Sequence, residues 1–100
     1  MVKNDVPIQR PLRYYHRDLG RTLRLAGRLD ESEAELKEAL RLFPGDPKTH
    51  FEMALLLEAQ GDLDGAVEHL KSALAAWENA VDDYEPARQA RAKLEELRGR

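Results

Sequence analysis

Residues 16–43 read HRDLGRTLRLAGRLDESEAELKEALRLF, and residues 50–77 read HFEMALLLEAQGDLDGAVEHLKSALAAW. The two stretches align without a gap at an offset of 34 residues. The identical pairs in this register are His16 and His50, Leu23 and Leu57, Gly27 and Gly61, Leu29 and Leu63, Asp30 and Asp64, Leu36 and Leu70, Lys37 and Lys71, Ala39 and Ala73, and Leu40 and Leu74. Because self-similarity at a fixed period marks repeat architectures, the sequence predicts a duplicated structural unit.

Each unit has the pattern of two helices, because apolar residues recur at helical spacing on both sides of a central glycine. In the first unit the apolar positions are Tyr15, Leu19, Leu23 and Ala26, followed by Leu29, Leu36, Ala39, Leu40 and Phe43. Gly27 and Gly61 stand where a helix C-terminus needs a left-handed residue. We expect Asp30 and Asp64 to accept hydrogen bonds from the free N–H groups that open the next helix.

The segment Pro44-Gly45-Asp46-Pro47 predicts a turn between the units, with Asp46 as N-cap and Pro47 at the first helical position. Only short stretches alternate with a period of two and β-branched residues are scarce, so no strand is expected. The expected helices cover about 12–26, 30–43, 47–60, 63–79 and 86–98.

The composition is that of one globular domain, with 100 residues of which 42% are hydrophobic and 35% charged. No apolar run exceeds five residues, whereas a helix that spans a bilayer needs about 20. The N-terminus lacks the pattern of a signal peptide, and we expect a cytoplasmic location. The absence of cysteine excludes disulfides and thiolate chemistry. Residues 1–11, which contain two prolines among charges, are predicted to be extended or disordered.

The net charge of -3 is unevenly distributed along the chain. Residues 1–28 have seven basic and two acidic side chains, so this part carries a charge of +5 and the remaining 72 residues carry -8. Such an asymmetry bears on the choice of partners and not on the fold.

These features resemble the tetratricopeptide repeat family, whose unit of 34 residues is a helix–turn–helix. The signature positions of the family are occupied here by His16, Leu19, Gly20, Leu23, Ser32, Leu36 and Pro44, and in the second unit by His50, Met53, Ala54, Leu57, Ala66, Leu70 and Glu78. The resemblance implies an all-α fold at residues 12–98, a right-handed α-solenoid. Its parts would be two units at about 13–46 and 47–80 and a capping helix at about 84–98.

Catalytic motifs are not found in the sequence. His16 and His50 occupy equivalent positions on the core side of their helices, and the spacing of His69 to them matches no metal-ligand motif. The serines lack a Gly-x-Ser-x-Gly turn, and no glycine-rich loop suits a phosphate. We therefore expect the histidines to be packing residues and the protein to be non-enzymatic, with no metal site and no cofactor.

The most informative charged residues are Arg17, Arg21 and Arg24, which project to one side of the first expected helix at positions i, i+4 and i+7. In the resembled family, the first helix of each unit lines a concave groove. The resemblance therefore implies a peptide-binding surface made of Tyr14, Arg17, Arg21, Arg24, Lys48, Phe51, Leu55 and Glu58. Arginine suits carboxylates, and Phe51 with Leu55 would add an apolar anchor.

The sequence thus predicts a module that binds an acidic or partly apolar peptide segment of another protein, as a monomer or weak homo-oligomer that does not enter a membrane. One alternative is a structural or self-assembly domain of a larger protein, which exposed apolar residues near 12–15 would favour. Nucleic-acid binding is less favoured, because the overall charge is acidic even though Tyr14, Tyr15 and His16 lie among basic residues.

Overall fold

The computed structural model describes residues 12–81 and 83–100. They form five α-helices, α1 (Leu12–Leu25), α2 (Leu29–Leu42), α3 (Pro47–Ala59), α4 (Leu63–Ala76) and α5 (Glu85–Arg98). Within these two ranges no strand is present. The all-α prediction is confirmed, and every helix begins and ends within three residues of its expected bounds. The extended or disordered segment predicted at residues 1–11 lies outside the described residues.

The helices pack mainly on their neighbours along the chain. α1 and α2 form one hairpin, α3 and α4 form a second, and α2 contacts α3 where the hairpins meet. α1 also contacts α3, and α5 packs against α4. This arrangement is the predicted helical-repeat solenoid of two hairpins followed by one further helix.

Each hairpin turns at a glycine with a positive φ angle, +81° at Gly27 and +85° at Gly61. After the first glycine, the N–H of Arg28 donates to the carbonyl oxygen of Leu23 at 2.9 Å, and the equivalent bond in the second turn measures 2.8 Å. A side chain is disfavoured at such an angle, so glycine ends both helices as predicted.

The caps that open the second helix of each hairpin differ from the prediction. Asp30 and Asp64 lie inside the first turns of α2 and α4, because each helix begins at the leucine two residues after the glycine. Asp62 is the cap of α4 and accepts a hydrogen bond from the N–H of Gly65 at 2.9 Å. α2 follows Arg28, whose side chain makes no capping bond. The assignment of Asp30 and Asp64 as caps was therefore wrong, although both remain favourable near a positive helix end.

The turn between the hairpins confirms its predicted cap. Asp46 is buried at the N-cap of α3, and Pro47 follows at the start of the helix. The Asp46 carboxylate accepts hydrogen bonds from the N–H of Lys48 at 3.3 Å and from the Thr49 hydroxyl at 2.8 Å. This carboxylate therefore fixes the first turn of α3 at the boundary between the two hairpins.

The core of the described residues consists of two clusters, one at the junction between the hairpins and one around α4. Leu36 of α2 packs with Met53 and Leu56 of α3 at the junction between the hairpins. The larger cluster joins α3, α4 and α5 and contains Ala54, Ala66, Leu70, Ala73, Trp77, Ala87, Ala90 and Leu97. The many alanines let the helix axes approach closely, as the repeat pattern requires.

Helix α5 has two chemically different faces. Its inner face buries Ala87, Ala90 and Leu97 against the second hairpin. The residues that remain exposed on its outer side are Arg88, Arg91, Glu95 and Arg98.

Among the described helices, none combines the length and the apolar character that a membrane span requires.

Candidate interaction groove

Side chains from three helices meet around one cavity of about 200 Å³ on the side of the stack formed by α1, α3 and α5. The residues that line it are Arg17 and Asp18 of α1, Lys48, Phe51 and Glu52 of α3, Pro86 and Gln89 of α5, and Trp77 after α4. The cavity thus combines two aromatic side chains with charges of both signs. The aromatic side chains offer apolar contact, and the charged side chains offer selectivity.

The structure brings some of the predicted binding residues to this cavity and leaves others outside it. Arg17, Lys48 and Phe51 line the cavity. Tyr14 lies beside it, with its ring centre 4.7 Å from the guanidinium carbon of Arg17. Besides Tyr14, the predicted residues that do not line the cavity are Arg21, Arg24, Leu55 and Glu58. Sequence reasoning missed Asp18, Glu52, Trp77, Pro86 and Gln89, which line it as well.

The three arginines share one side of α1, as predicted, but they are not equally available. Arg17 lies 3.3 Å from the Asp46 carboxylate, and its side chain is only 13% exposed. Arg24 is similarly enclosed and donates to the Glu52 carboxylate at 3.2 Å. Arg21, by contrast, is 58% exposed and stands 3.7 Å from Glu52. Two of the arginines thus attach α1 to α3, and Arg21 alone of the three presents most of its side chain to solvent.

Glu58 lies at the other end of α3 and connects this helix to α5. Its carboxylate is 3.1 Å from the Lys93 ammonium and accepts a hydrogen bond from Arg100 at 2.8 Å. Burial opposes the charged form of Lys93, yet hydrogen bonds to Glu58 and Glu96 raise the pKa of this lysine above its ordinary value. The ion pairs of Glu58 therefore link α3 to the C-terminal part of α5, and they help to position α5 along the groove.

The histidines make specific hydrogen bonds rather than purely apolar contacts. Nδ1 of His16 lies 2.6 Å from a Glu35 carboxylate oxygen, and Nδ1 of His50 lies 2.9 Å from Nδ1 of His69. Both pairs join residues 19 positions apart in the two helices of a hairpin, so the second pair is the repeat of the first. In the part of the chain that the structure describes, no cluster of three or more metal-ligating side chains occurs.

The positions of the hydrogens between His50 and His69 follow from a third group, the carbonyl oxygen of Pro44. Nε2 of His50 lies 2.7 Å from the carbonyl oxygen of Pro44, which can only accept, so Nε2 of His50 donates. In the tautomer with its hydrogen on Nε2, His50 accepts at Nδ1, and the hydrogen between the rings belongs to His69. Burial and the neighbouring His50 lower the pKa of His69, although Asp62 and Glu68 oppose the shift.

The paired hairpins and the groove beside them define the class of helical-repeat proteins. A sequence model described as tetratricopeptide repeat matches residues 23–94, and the chain belongs to this family. Repeats of this family are generally protein–protein interaction modules and are generally non-enzymatic. Searches among curated proteins and among solved structures found no match.

Proposed function

We propose that this domain is a non-enzymatic interaction module that binds a peptide segment of another protein in the groove of α1, α3 and α5. The observation that carries the proposal is the cavity to which all three helices contribute side chains. Its aromatic residues, Phe51 and Trp77, offer apolar contact, and the charged residues around them offer selectivity. An extended or helical peptide can follow such a groove from α1 to α5.

The charges around the groove indicate what kind of peptide fits. The proposed contact residues remain Tyr14, Arg17, Arg21, Arg24, Lys48, Phe51, Leu55 and Glu58. Among them, Lys48 and Arg21 are exposed cations that can meet a carboxylate directly. Arg17, Arg24 and Glu58 act mainly through the ion pairs that shape the groove. The proposed ligand is therefore acidic on one side and apolar where it meets Phe51.

The test is selection of peptides of random sequence by the purified chain, followed by affinity measurements on the enriched peptides. Lys48→Glu should weaken their binding at least about tenfold, which corresponds to roughly 1.4 kcal/mol. Lys71→Glu is the matched control, because Lys71 is also an exposed lysine but lies on α4, outside the groove. Binding should also weaken as salt rises from about 50 to about 200 mM, since exposed charges are screened.

Three results would contradict the proposal. The selection would enrich no peptide, or the enriched peptides would bind the Lys48→Glu and Lys71→Glu variants equally well. Alternatively, addition of peptide would change the chemical shifts of backbone amides in ¹H–¹⁵N NMR spectra mainly at the outward residues of α2 and α4 instead of at the groove. Preferential capture of RNA or DNA over peptides would support the nucleic-acid alternative instead.

A further inference from the structure

The outer face of α1, made of Tyr15, Leu19, Thr22 and Leu25, leaves large apolar side chains in contact with solvent. Tyr15 is 56% exposed and Leu25 is 62% exposed. Tyr15, Leu19 and Thr22, together with Asp18, line a shallow hollow of about 440 Å³. Contiguous apolar surface of this kind marks an interaction site more often than isolated exposed residues do.

The second repeat shows what this face is built to do. The residues 34 positions after Tyr15, Leu19 and Thr22 are Thr49, Met53 and Leu56. These three residues are between 0% and 4% exposed, and Met53 and Leu56 pack against α2. These three positions are therefore a helix-packing surface in α3, whereas in α1 no described element covers them. Leu25 corresponds to Ala59, which is exposed, so Leu25 lies at the edge of this surface.

The other end of the stack cannot fill this surface in a second molecule. The outward residues of α5 include Arg88, Arg91, Glu95 and Arg98, so stacking copies head to tail would press charges onto Tyr15 and Leu25. A two-fold arrangement avoids this, because it places the outer face of α1 against the same face of another copy.

The charges at the edge of this face favour an antiparallel pair. Asp18 and Arg21 lie about one turn apart on the same edge of α1, and both are substantially exposed. In an antiparallel pair like edges meet, so Asp18 approaches Arg21 of the second copy, and symmetry makes this contact twice. In this register Tyr15 lies within one residue, or about 1.5 Å along the helix, of the level of Leu25 of the second copy. In a parallel two-fold pair opposite edges meet, so the contacts between Asp18 and Arg21 do not form.

We infer that the outer face of α1 is a self-association surface on which two copies of this chain pack antiparallel, α1 on α1. The surface is separate from the aromatic part of the groove at Phe51 and Trp77. The two surfaces share Asp18 and Arg21 at their common edge, whereas Leu25 belongs only to the self-association surface and Lys48 only to the groove, so each proposal has its own test.

Sedimentation velocity of the full chain over a wide concentration range tests the association. The parent should approach twice the 11.4 kDa mass of one chain as its concentration rises. Leu25→Glu should raise the dimer dissociation constant at least about tenfold, because it places a carboxylate in the apolar contact. The control is Val81→Glu, since Val81 is a similarly exposed apolar residue far along the chain from α1.

Mixed disulfide formation tests the antiparallel register, because the chain has no cysteine of its own. A Tyr15→Cys variant mixed with a Leu25→Cys variant should give the hetero-disulfide in excess over both homo-disulfides. Ten residues of helix span about 15 Å, whereas disulfide-linked Cα atoms lie within about 7 Å. The antiparallel register is therefore expected to disfavour both homo-disulfides.

The inference is overturned if the parent stays at the mass of one chain, or if Leu25→Glu associates as strongly as the parent and the Val81→Glu control. An excess of homo-disulfides would overturn the antiparallel arrangement. If a monomeric parent became a dimer only after removal of residues 1–11, the chain's own N-terminal part would be the occupant of this face, and the inference would again be wrong.

Discussion

Gly20 of α1 lies so close to Leu36 of α2 that a Cβ atom added to the glycine would stand 2.6 Å from the leucine Cγ. At the same crossing, the Ser32 hydroxyl donates to the Gly20 carbonyl oxygen at 2.7 Å. Leu36 also belongs to the cluster that joins the two hairpins. The close approach at Gly20 therefore affects both the first hairpin and its junction with the second.

Gly20→Ala should lower the free energy of unfolding by about 1 to 3 kcal/mol, because the added methyl group overpacks the crossing. This result would be opposite to the usual preference for alanine within helices. Gly45→Ala is the control, since a Cβ there meets no atom within 4 Å, and its effect should stay within about 1 kcal/mol. Urea denaturation measures both. A Gly20→Ala variant as stable as the parent would contradict the close contact.

Two aspartate caps with different surroundings provide a second comparison. Asp62→Ala removes one capping bond, to the N–H of Gly65, and should cost about 1 kcal/mol. Asp46→Ala should cost about 2 to 3 kcal/mol, because it also leaves the buried Thr49 hydroxyl and the enclosed Arg17 without this carboxylate. Thermal unfolding of the two variants measures the difference. Equal costs would show that the contacts of Asp46 beyond the cap contribute little.

The stability of the protein should fall as the pH falls from about 7 to about 5. In the folded state the pKa of His69 lies below its ordinary value of about 6.5. As the pH falls, His69 is therefore protonated more readily in the unfolded chain than in the folded one, and this difference favours unfolding. His69→Asn keeps a donor towards His50 and removes this titration, so its profile should be flatter in the same window. Urea unfolding at several pH values measures both profiles, and identical slopes for parent and variant would contradict the assignment.

Helix α5 is predicted to close the second hairpin through its inner face. Leu97→Ala should cost about 2 to 4 kcal/mol, because Leu97 is almost fully buried in the larger cluster. Arg98→Ala, the neighbouring exposed position, should change stability by less than about 0.5 kcal/mol. Deletion of residues 84–100 should expose the cluster and promote aggregation. A truncated chain as stable and monomeric as the parent would disprove the capping role.

The helices and their order could be predicted from the sequence because each signal is local. The two turn glycines and the cap at Asp46 each act over a few residues, the period of 34 residues shows that the same local pattern occurs twice, and all are present in the structure. The prediction that Asp30 and Asp64 are caps was wrong because periodicity does not fix the first residue of a helix. The aspartate directly before α4, Asp62, was equally suited to the role.

The groove was harder to predict, because it depends on contacts between helices. Periodicity placed Arg17, Arg21 and Arg24 on one side of α1, but it could not show that Asp46 and Glu52 enclose two of them. Trp77 and Gln89 reach the cavity only through the packing of α5 on α4. The pairing of His50 with His69 had a usable signal, since His16 and Glu35 stand at the same separation in the first repeat.

The neighbour-to-neighbour packing of the helices also determines how the chain folds and opens. Most contacts join residues that are separated in sequence by no more than the length of one hairpin. A protein with such a low contact order can fold on a microsecond to millisecond timescale. α4 lies between α3 and α5 and has Ala66, Leu70 and Ala73 fully enclosed, whereas α1 is covered on one side. Backbone amides of α4 should therefore exchange with solvent deuterium only through global unfolding, while those of α1 exchange through local fraying.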